Sequence, residues 1–398
     1  MKKLATLVAA AALAAAPALA ADKILLKTPI AFSTELPGLG TPIVRVAEDL
    51  GAISGGQIKM KIYEPGKLVP PFEILDAVSS GKINSGYTTA GYWAGKIPAA
   101  PLFSAVPFGP EAGEYMAWLY YGNGMTLYQE MYDQAGFNVH VMPCAILAPE
   151  TSGWFATEIN TTDDLNGLKM RFFGLGGKVM QKLGVATSLL PGGEIFPALE
   201  KGAIDATEIS MPAIDARLGF HKLVKFNYFP GWHQQATVFE LLINKDVWND
   251  ASDQHKAIIE TACKASMADS FAEGEAIQHA ALIDNIENNG VQMKQWNDEM
   301  LATFQQTWDE VAAEEAANDA FFAKVLEDMN GFRDGYAIWK ENAFLPRQFA
   351  GGAVRVLVAH GDLAVDQVAP QDGRHHRDAL DVVDGGGAAV EARIRRER

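Results

Sequence analysis

The stretch 73–83, Glu-Ile-Leu-Asp-Ala-Val-Ser-Ser-Gly-Lys-Ile, has a counterpart 121 residues later, Glu-Ile-Phe-Pro-Ala-Leu-Glu-Lys-Gly-Ala-Ile at 194–204. In each copy Pro and Gly precede a short amphipathic helix, Gly81 or Gly202 ends that helix, and a strand-like run follows. Two copies of one helix–strand unit predict two similar α/β lobes. A chance likeness between two ordinary helix ends is the alternative, because such ends are common.

The segments around the two copies alternate between strand and helix patterns. The predicted strands are 24–30, 58–63, 139–147 and 238–244, and the predicted helices are 41–50, 114–121, 125–134, 178–183 and 253–288. This alternation predicts α/β lobes with largely parallel sheets. Residues 297–339 form a strongly helical region, which can brace both lobes or pack against a partner chain.

Arg171 is the strongest single indication of a binding site. Residues 1–347 contain only five arginines, whereas they contain all 21 lysines of the chain. Arg171 ends a strand-like run and precedes a glycine-rich turn at 172–177, which lacks the strict spacing of a nucleotide-binding loop. A guanidinium at a strand end can hold both oxygens of a carboxylate, which a lysine cannot do. We predict a carboxylate site here, with a surface or salt-bridged arginine as the alternative.

The N-terminus predicts an exported protein. Lys2 and Lys3 precede an apolar stretch at 4–19, and an A-x-A site ends at Ala20, so cleavage is expected after Ala20. A membrane anchor is the weaker alternative, because the apolar stretch is short for a bilayer span. The net charge of −16 argues against nucleic acid and against an anionic membrane surface. It does not argue against a small anionic ligand, because a binding site is local.

The two cysteines, Cys144 and Cys263, lie in different apolar segments. Export would allow them to pair, but two distant cysteines do not make a disulfide framework. We therefore favour two buried thiols over a disulfide.

The last 51 residues, 348–398, differ in composition from the rest of the chain. They contain seven arginines, no lysine and one aromatic residue, Phe349. Such a composition does not readily form a core of its own. Either a reading-frame change near residue 348 or a genuine disordered tail explains the difference, and neither gives the tail a role in ligand binding.

Several short motifs together carry a resemblance to a known family. They are GKLVP at 66–70, YWAGKIPA at 92–99 with VPFG at 106–109, SGWF at 152–155 with LNGLKMR at 165–171, GGEI at 192–195, GAIDATE at 202–208 and YFPGWH at 228–233. Residues 23–344 resemble the extracytoplasmic solute receptors of TRAP (tripartite ATP-independent periplasmic) transporters. The YFPGWH motif is similar to the branch that binds 2-oxo acids and related small monocarboxylates, sometimes through a bridging metal cation.

The resemblance implies a two-lobed periplasmic binding protein fold, type II-like, with hinge strands, a ligand cleft between the lobes and a long C-terminal helical region. It also implies delivery of the ligand to a separate membrane permease. From the long helical region we expect a monomer or a homodimer through the C-terminal helices. The expected division is a signal peptide at 1–20, mainly lobe I at 21–145, mainly lobe II at 146–240, a return strand and bracing helices at 241–347, and the tail at 348–398.

The resemblance also implies the residues of the site. Arg171 is expected to pair with the ligand carboxylate, and Tyr92 is expected to contact the ligand from the other lobe. The remaining implied residues surround a Na⁺ or Ca²⁺ ion, with no organic cofactor: Glu208, the backbone carbonyl of Ile209, Gln234 or Gln235, and Glu150, which reaches either the ligand or the cation.

Aromatic and histidine side chains near the cleft are harder to assign. Trp154 and Trp232 either line the pocket or pack the lobes, since tryptophan serves both roles. The histidines before the tail show no metal-ligand spacing, and only His233 is expected near the cleft.

Two positions depart from the family pattern. Glu150 stands where an amide is usual, and Ile209 stands where tryptophan is common, which widens the expected pocket. A second carboxylate favours a more highly charged cation such as Ca²⁺, which takes several oxygen ligands. Alternatively Glu150 receives an ammonium group, so that the ligand is an amino acid or a larger, aromatic carboxylate. A loop glutamate facing solvent is the plainest alternative.

A binding protein without catalysis is the leading hypothesis. The runner-up is a periplasmic enzyme acting on carboxylic acids, with Glu150 or Glu208 as the base. The sequence offers neither a second catalytic partner nor a cofactor signature for that enzyme.

Overall fold

The computed structural model describes residues 23–346. The predicted signal peptide and the tail at 348–398 lie outside the described residues. Among the described residues, no helix combines the length and the apolar character needed to cross a membrane.

The described chain alternates between strands and helices as the sequence predicts. The strands are β1 (Ile24–Pro29), β2 (Ile58–Tyr63), β3 (Ser85–Thr88), β4 (Val139–Leu147), β5 (Gly153–Phe155), β6 (Lys169–Arg171), β7 (Ala186–Ser188), β8 (Ala206–Thr207), β9 (Phe226–Phe229), β10 (Thr237–Asn244) and β11 (Gln292–Gln295). The helices are α1 (Thr41–Ile53), α2 (Ile74–Ser79), α3 (Ala112–Tyr121), α4 (Gly124–Gln134), α5 (Gly174–Lys182), α6 (Gly192–Glu200), α7 (Pro212–Leu218), α8 (Lys245–Asp250), α9 (Asp253–Glu287), α10 (Asp298–Asn318) and α11 (Ala320–Ala343).

The strands belong to a two-lobed α/β fold. In the first lobe β1 pairs with β2, and a second sheet has the order β3-β10-β4; the second lobe has a six-stranded sheet of order β11-β9-β5-β8-β6-β7. The two repeated units lie in different lobes. Gly81 (φ 73°) follows α2 and leads to β3, and Gly202 (φ 66°) follows α6 and leads to β8. Both glycines adopt the left-handed conformation that a helix end requires.

The prediction of largely parallel sheets is wrong for the central sheet of the first lobe. Strand β10 runs antiparallel to both β3 and β4. The chain leaves this sheet along β4, builds most of the second lobe, and returns along β10 in the opposite direction. All eight residues of β10 are buried, as expected for a central strand covered on both faces.

The prediction of two free thiols is also wrong, because Cys144 and Cys263 form a disulfide. Cys144 lies on β4 and Cys263 on α9, 119 residues later in the chain. The helix packs along the strand and brings the two Cα atoms to 4.3 Å, a proximity that only the folded chain reveals.

The long C-terminal helices contact elements of both lobes. Helix α9 packs against β4 and α1 of the first lobe and against α7 of the second. Helix α10 packs on α5, and α11 packs on α3 and α4. The region predicted as helical at 297–339 is broken at Asp319, whose side chain accepts a hydrogen bond from the Phe322 amide (2.6 Å) and begins α11.

Candidate ligand and cation site

The register of two parallel strands brings Arg171 and Glu208 together. Strands β6 and β8 pair with Arg171 opposite Thr207. Arg171 is the last residue of β6, and Glu208 directly follows β8, so both side chains leave the same edge of the sheet. Both side chains are fully buried.

Arg171 is fixed by its neighbours. Its Nη1 donates to Glu208 Oε1 (2.9 Å) and to the Glu208 backbone carbonyl, and its Nε donates to the Leu190 carbonyl (3.2 Å). Burial alone would raise the pKa of the Glu208 carboxyl, but the positive charge of Arg171 and the neighbouring His233 hold that pKa below its ordinary value. Glu208 is therefore an anion that keeps the guanidinium in one orientation.

Glu150 reaches the same place from the loop between β4 and β5. Its backbone amide donates to the Gln234 carbonyl (3.2 Å), and its Oε1 accepts from the Thr237 hydroxyl (2.7 Å). Residue 231 must be glycine for this approach, because a Cβ there would lie 2.2 Å from the Glu150 carbonyl oxygen. Burial, and then the charge of Glu208, raise the pKa of Glu150 well above its ordinary value.

The structure distinguishes the two adjacent glutamines. Gln234 is buried, its Nε2 donates to the Thr237 hydroxyl (2.8 Å), and its Oε1 has no hydrogen-bond donor within the described part of the chain. Gln235 turns back on its own loop, where its Nε2 donates to the Gly231 carbonyl (2.8 Å). Of the two, only Gln234 lines the cavity described below.

Two carboxylates and one imidazole converge at this point. Ligand atoms of Glu150, Glu208 and His233 all lie within 4.8 Å of one another, and all three side chains are buried. Glu150 Oε2 and Glu208 Oε2 accept no hydrogen bond from any described residue. A buried carboxylate oxygen that accepts no hydrogen bond is energetically costly. The three side chains therefore fit a cation, which would supply the missing partner for these oxygens. The sequence placed His233 near the cleft but gave it no part in cation binding.

A small cavity of about 20 Å³ borders Glu150 and Arg171, whereas Glu208 and His233 are not part of its wall. Its walls are Phe32, Leu39, Thr89, Tyr92, Glu150, Arg171, Phe173, Ile209, Gln234, Thr237 and Phe239. A space of this size holds roughly one water molecule or one ion. Tyr92 from the first lobe and Phe173 from the second meet across it with ring centroids 5.6 Å apart. Burial raises the pKa of Tyr92 to about 12, against the opposing charge of Arg171.

Trp232, which the sequence left open between lining the pocket and packing the lobes, does not line this cavity. Its ring packs among Phe108, Phe172 and Phe304, with the Phe304 centroid at 4.9 Å. Trp154 also packs outside the cavity, and its Nε1 donates to Asp215 Oδ2 (2.7 Å).

Sequence reasoning missed several residues of the site. Thr237, which links Glu150 to Gln234, is a strand residue with no distinguishing signal. Asp215 is a third buried carboxyl, held by Trp154 and by the Thr151 hydroxyl (3.4 Å) next to Glu150. Burial raises the pKa of Asp215 to about 7.

Two larger cavities lie elsewhere. One of about 240 Å³ borders Cys263 and His140, and one of about 410 Å³ lies between α4 and α11. Neither is lined by a buried carboxylate or a buried arginine. Volume alone therefore does not identify the site, and the small cavity at Arg171 is the chemically distinctive one.

The chain is similar to known solute-binding proteins over most of its length. Residues 39–319 match the family described as bacterial extracellular solute-binding protein, family 7 (DctP). A monocarboxylate 2-oxoacid-binding periplasmic protein from Nostoc sp. is 36% identical over 294 residues, which is 74% of this chain and 80% of that protein.

Three solved structures of TRAP solute-binding proteins share the fold. One from Bordetella bronchiseptica, with calcium and picolinate, has a TM-score of 0.79 at 28% identity and covers 81% of this chain and 95% of its own. One from Pseudoalteromonas atlantica, with sodium and pyruvate, has a TM-score of 0.77 at 30% identity (81% and 97% covered). One from Colwellia psychrerythraea, with calcium and pyruvate, has a TM-score of 0.77 at 31% identity (81% and 98% covered). The chain therefore belongs to family 7 of the bacterial extracellular solute-binding proteins, a family of transport receptors and not of enzymes.

Proposed function

We propose that this protein captures a small 2-oxo or 2-hydroxy monocarboxylate, bridged by a metal cation, and delivers it to a TRAP membrane permease. The proposal rests on a buried arginine, Arg171, in the cavity wall. Beside it lie two buried carboxylates, Glu150 and Glu208, whose Oε2 atoms accept no hydrogen bond from residues 23–346. The pyruvate found with a cation in two relatives supports the ligand class.

Arg171 would anchor the acid. Its Nε and Nη1 are held by protein oxygens, so the plane of the guanidinium is set before a ligand arrives. A guanidinium fixed in this way loses little entropy when it binds a carboxylate. Tyr92, on the opposite wall, would contact the acid from the first lobe.

A cation would join the acid to Glu208, Glu150, the Ile209 carbonyl and Gln234. When a bound cation keeps both glutamates ionised, the two glutamates and the acid bring three negative charges, and Arg171 brings one positive charge. A divalent cation neutralises the remaining two, whereas Na⁺ leaves one uncompensated in a buried site. The charge count therefore favours a divalent ion, consistent with Glu150 standing where the family usually has an amide.

Lobe closure would complete the site. The cavity of about 20 Å³ is too small to admit a three-carbon acid from solvent, so the acid would enter while the lobes are apart. Strands β4 and β10 carry the chain between the lobes and are the proposed hinge. We place lobe I mainly at 21–145 and lobe II mainly at 146–240, with 241–347 bracing both.

Export, oligomeric state and the tail complete the proposal. Cleavage after Ala20 would release the mature receptor to the periplasm. The receptor would be a monomer or a homodimer through α11, where Ile338 and Trp339 are exposed. The tail at 348–398 would take no part in ligand binding. Intact mass and light scattering of the exported protein test these points.

The decisive experiment is calorimetric titration of metal-free and Ca²⁺-loaded protein with pyruvate and lactate. Arg171→Lys should weaken binding at least about tenfold, because an ammonium cannot keep the separate bonds to Leu190 and Glu208 that hold the guanidinium in place and also bind the acid. Arg217→Lys, at an exposed arginine of the same lobe, is the matched control. Unchanged affinity in Arg171→Lys would overturn the carboxylate anchor, and equal affinity without metal would overturn the cation bridge.

An amino acid ligand is the second candidate. The unsatisfied Glu150 oxygen lines the same cavity as Arg171, so the pair can receive an ammonium and a carboxylate of one molecule. Alanine, titrated beside lactate, separates this candidate from the first, because the two molecules differ in the amino and hydroxyl groups.

A further inference from the structure

His233 has an unusual environment for a histidine. Its side chain is fully buried, and neither Nδ1 nor Nε2 has a hydrogen-bond partner among residues 23–346. A neutral imidazole carries one N–H group and one lone pair, and burying both without partners is unfavourable. The packing that fixes the ring is tight, since a Cβ at Gly176 would lie 2.8 Å from the His233 Cβ.

The ring nitrogen faces the unsatisfied carboxylate oxygens. His233 Nε2 lies 3.6 Å from Glu208 Oε2, longer than a hydrogen bond. Two ligands on one tetrahedral ion with bonds near 2.1 Å are separated by roughly 3.4 Å. The observed separation is therefore close to that of two neighbouring ligands of one metal ion, and Glu150 lies within reach of the same point.

The type of donor atom has a consequence for the choice of metal. Ca²⁺ and Na⁺ take oxygen ligands, whereas imidazole nitrogen suits Zn²⁺, Co²⁺ and related ions. We propose that His233 binds the cation through Nε2, and that the site therefore selects a divalent transition-metal ion with mixed nitrogen and oxygen ligands. This inference rests on the cation bridge of the proposed function and specifies which ion forms it.

An ion pair between a protonated His233 and Glu208 is the competing explanation. In that case the ring would only compensate the Glu208 charge and would never touch a metal. Replacing His233 would then change the affinity for every divalent cation by a similar factor. If His233 is a ligand, the loss falls on Zn²⁺ far more than on Ca²⁺. The two explanations therefore differ in a measurable ratio.

The test is titration of metal-free, full-length protein with Zn²⁺ alone and with Ca²⁺ alone. His233→Gln should lower Zn²⁺ affinity at least about tenfold and change Ca²⁺ affinity less than about threefold, because the lost donor is a nitrogen. His279→Gln, at an exposed histidine of α9, should change neither affinity. X-ray absorption at the zinc edge of the wild-type protein should show imidazole scattering, a result that needs no variant to fold.

Two outcomes would overturn the inference. One is an equal loss of Zn²⁺ and Ca²⁺ affinity in His233→Gln, and the other is an oxygen-only zinc environment in the wild type. If pyruvate still binds with Ca²⁺ in either case, the proposed function stands and only the role of His233 fails. If pyruvate binds equally well with no divalent ion, the cation bridge itself fails.

Discussion

Two groups of buried carboxylates, one in the first lobe and one in the cleft, differ in how completely hydrogen-bond donors satisfy their oxygens. Glu240, on β10 in the first lobe, is fully buried. Its oxygens accept hydrogen bonds from the Tyr128 hydroxyl (2.6 Å), the Tyr132 hydroxyl (2.8 and 2.9 Å) and the Trp93 indole (3.0 Å). In the cleft, Glu150 and Glu208 are buried to the same degree, but each keeps one oxygen without a donor from the described residues.

The difference shows that burial of a charge does not by itself mark a binding site. The first-lobe carboxylate has all of its hydrogen-bond partners within the protein. The cleft groups are incomplete, which is the arrangement expected where a ligand or ion supplies the last partner. The disulfide between Cys144 and Cys263 is also internal to the protein, because it joins β4, the strand beside β10, to helix α9. Substitutions should therefore affect stability in one region and binding in the other.

The largest effect should come from the disulfide. Replacing Cys144 and Cys263 by alanine opens a loop of 119 residues, and the free energy of unfolding should fall by about 2–5 kcal/mol. Pyruvate affinity of the folded fraction should stay within about threefold, since neither residue lines the ligand cavity. Urea unfolding and calorimetry measure the two quantities. A loss of pyruvate affinity without a loss of unfolding free energy would contradict the assignment of the disulfide to fold stability.

The second prediction concerns pH and Glu240. Burial raises the pKa of Glu240 from an ordinary value of 4.5 to about 7. The folded state therefore binds more protons than the unfolded state between those values, so this contribution to stability is full below pH 4.5 and is lost as pH rises through 7. The loss is on the order of 3 kcal/mol, since each pKa unit corresponds to about 1.4 kcal/mol.

Glu240→Gln mimics the protonated form and should remove this pH dependence. We expect the unfolding free energy of the variant to exceed that of the wild type more at pH 8 than at pH 5, with pyruvate binding unchanged. Glu48→Gln, at an exposed position of α1, is the control. Parallel pH profiles for the wild type and Glu240→Gln would contradict the assignment.

Strand ends were predictable from the sequence, but the ring of donors around each carboxylate was not. Arg171 and Glu208 each end a strand-like run, so parallel pairing alone places them side by side. Glu240 looked like an ordinary residue of an apolar strand, because its partners come from two distant segments, helix α4 and the short helix at 90–93. The disulfide could not be predicted for the same reason, because the distance between the two cysteines depends on how α9 packs along β4.

The third prediction concerns Glu150. Glu150→Gln removes one of two neighbouring carboxylates, so the free energy of unfolding should hold or rise slightly, because like charges buried together are costly. Affinity for a divalent cation should fall about tenfold, and Na⁺ should replace Ca²⁺ more readily, because the charge count then favours a monovalent ion. A thermal-shift screen of pyruvate, lactate and alanine, with Na⁺ or Ca²⁺, measures both preferences. Glu194→Gln, exposed on α6, is the control, and identical profiles would remove Glu150 from the site.

The smallest predicted effect concerns Gln234 and Gln235, which the sequence alone could not distinguish as cation ligands. Gln234 and Gln235 differ only in the path of the loop, which Gly231 sets by its close approach to Glu150. The unsatisfied Gln234 Oε1 is a candidate cation ligand, whereas the Gln235 amide is already bonded to the Gly231 carbonyl.

Gln234→Ala should therefore weaken pyruvate binding in Ca²⁺ by about fivefold, the loss of roughly one neutral interaction of 1 kcal/mol. Gln235→Ala should stay within about twofold, and its cost should appear instead as a small drop in Tm, because its one hydrogen bond is internal to the loop. Calorimetry and thermal unfolding of the two variants, measured side by side, provide the comparison at single-residue resolution. The reverse order of affinities would mean that the loop turns when the ligand binds and presents Gln235 to the cation. The distinction between satisfied and unsatisfied groups would then hold only for the ligand-free conformation.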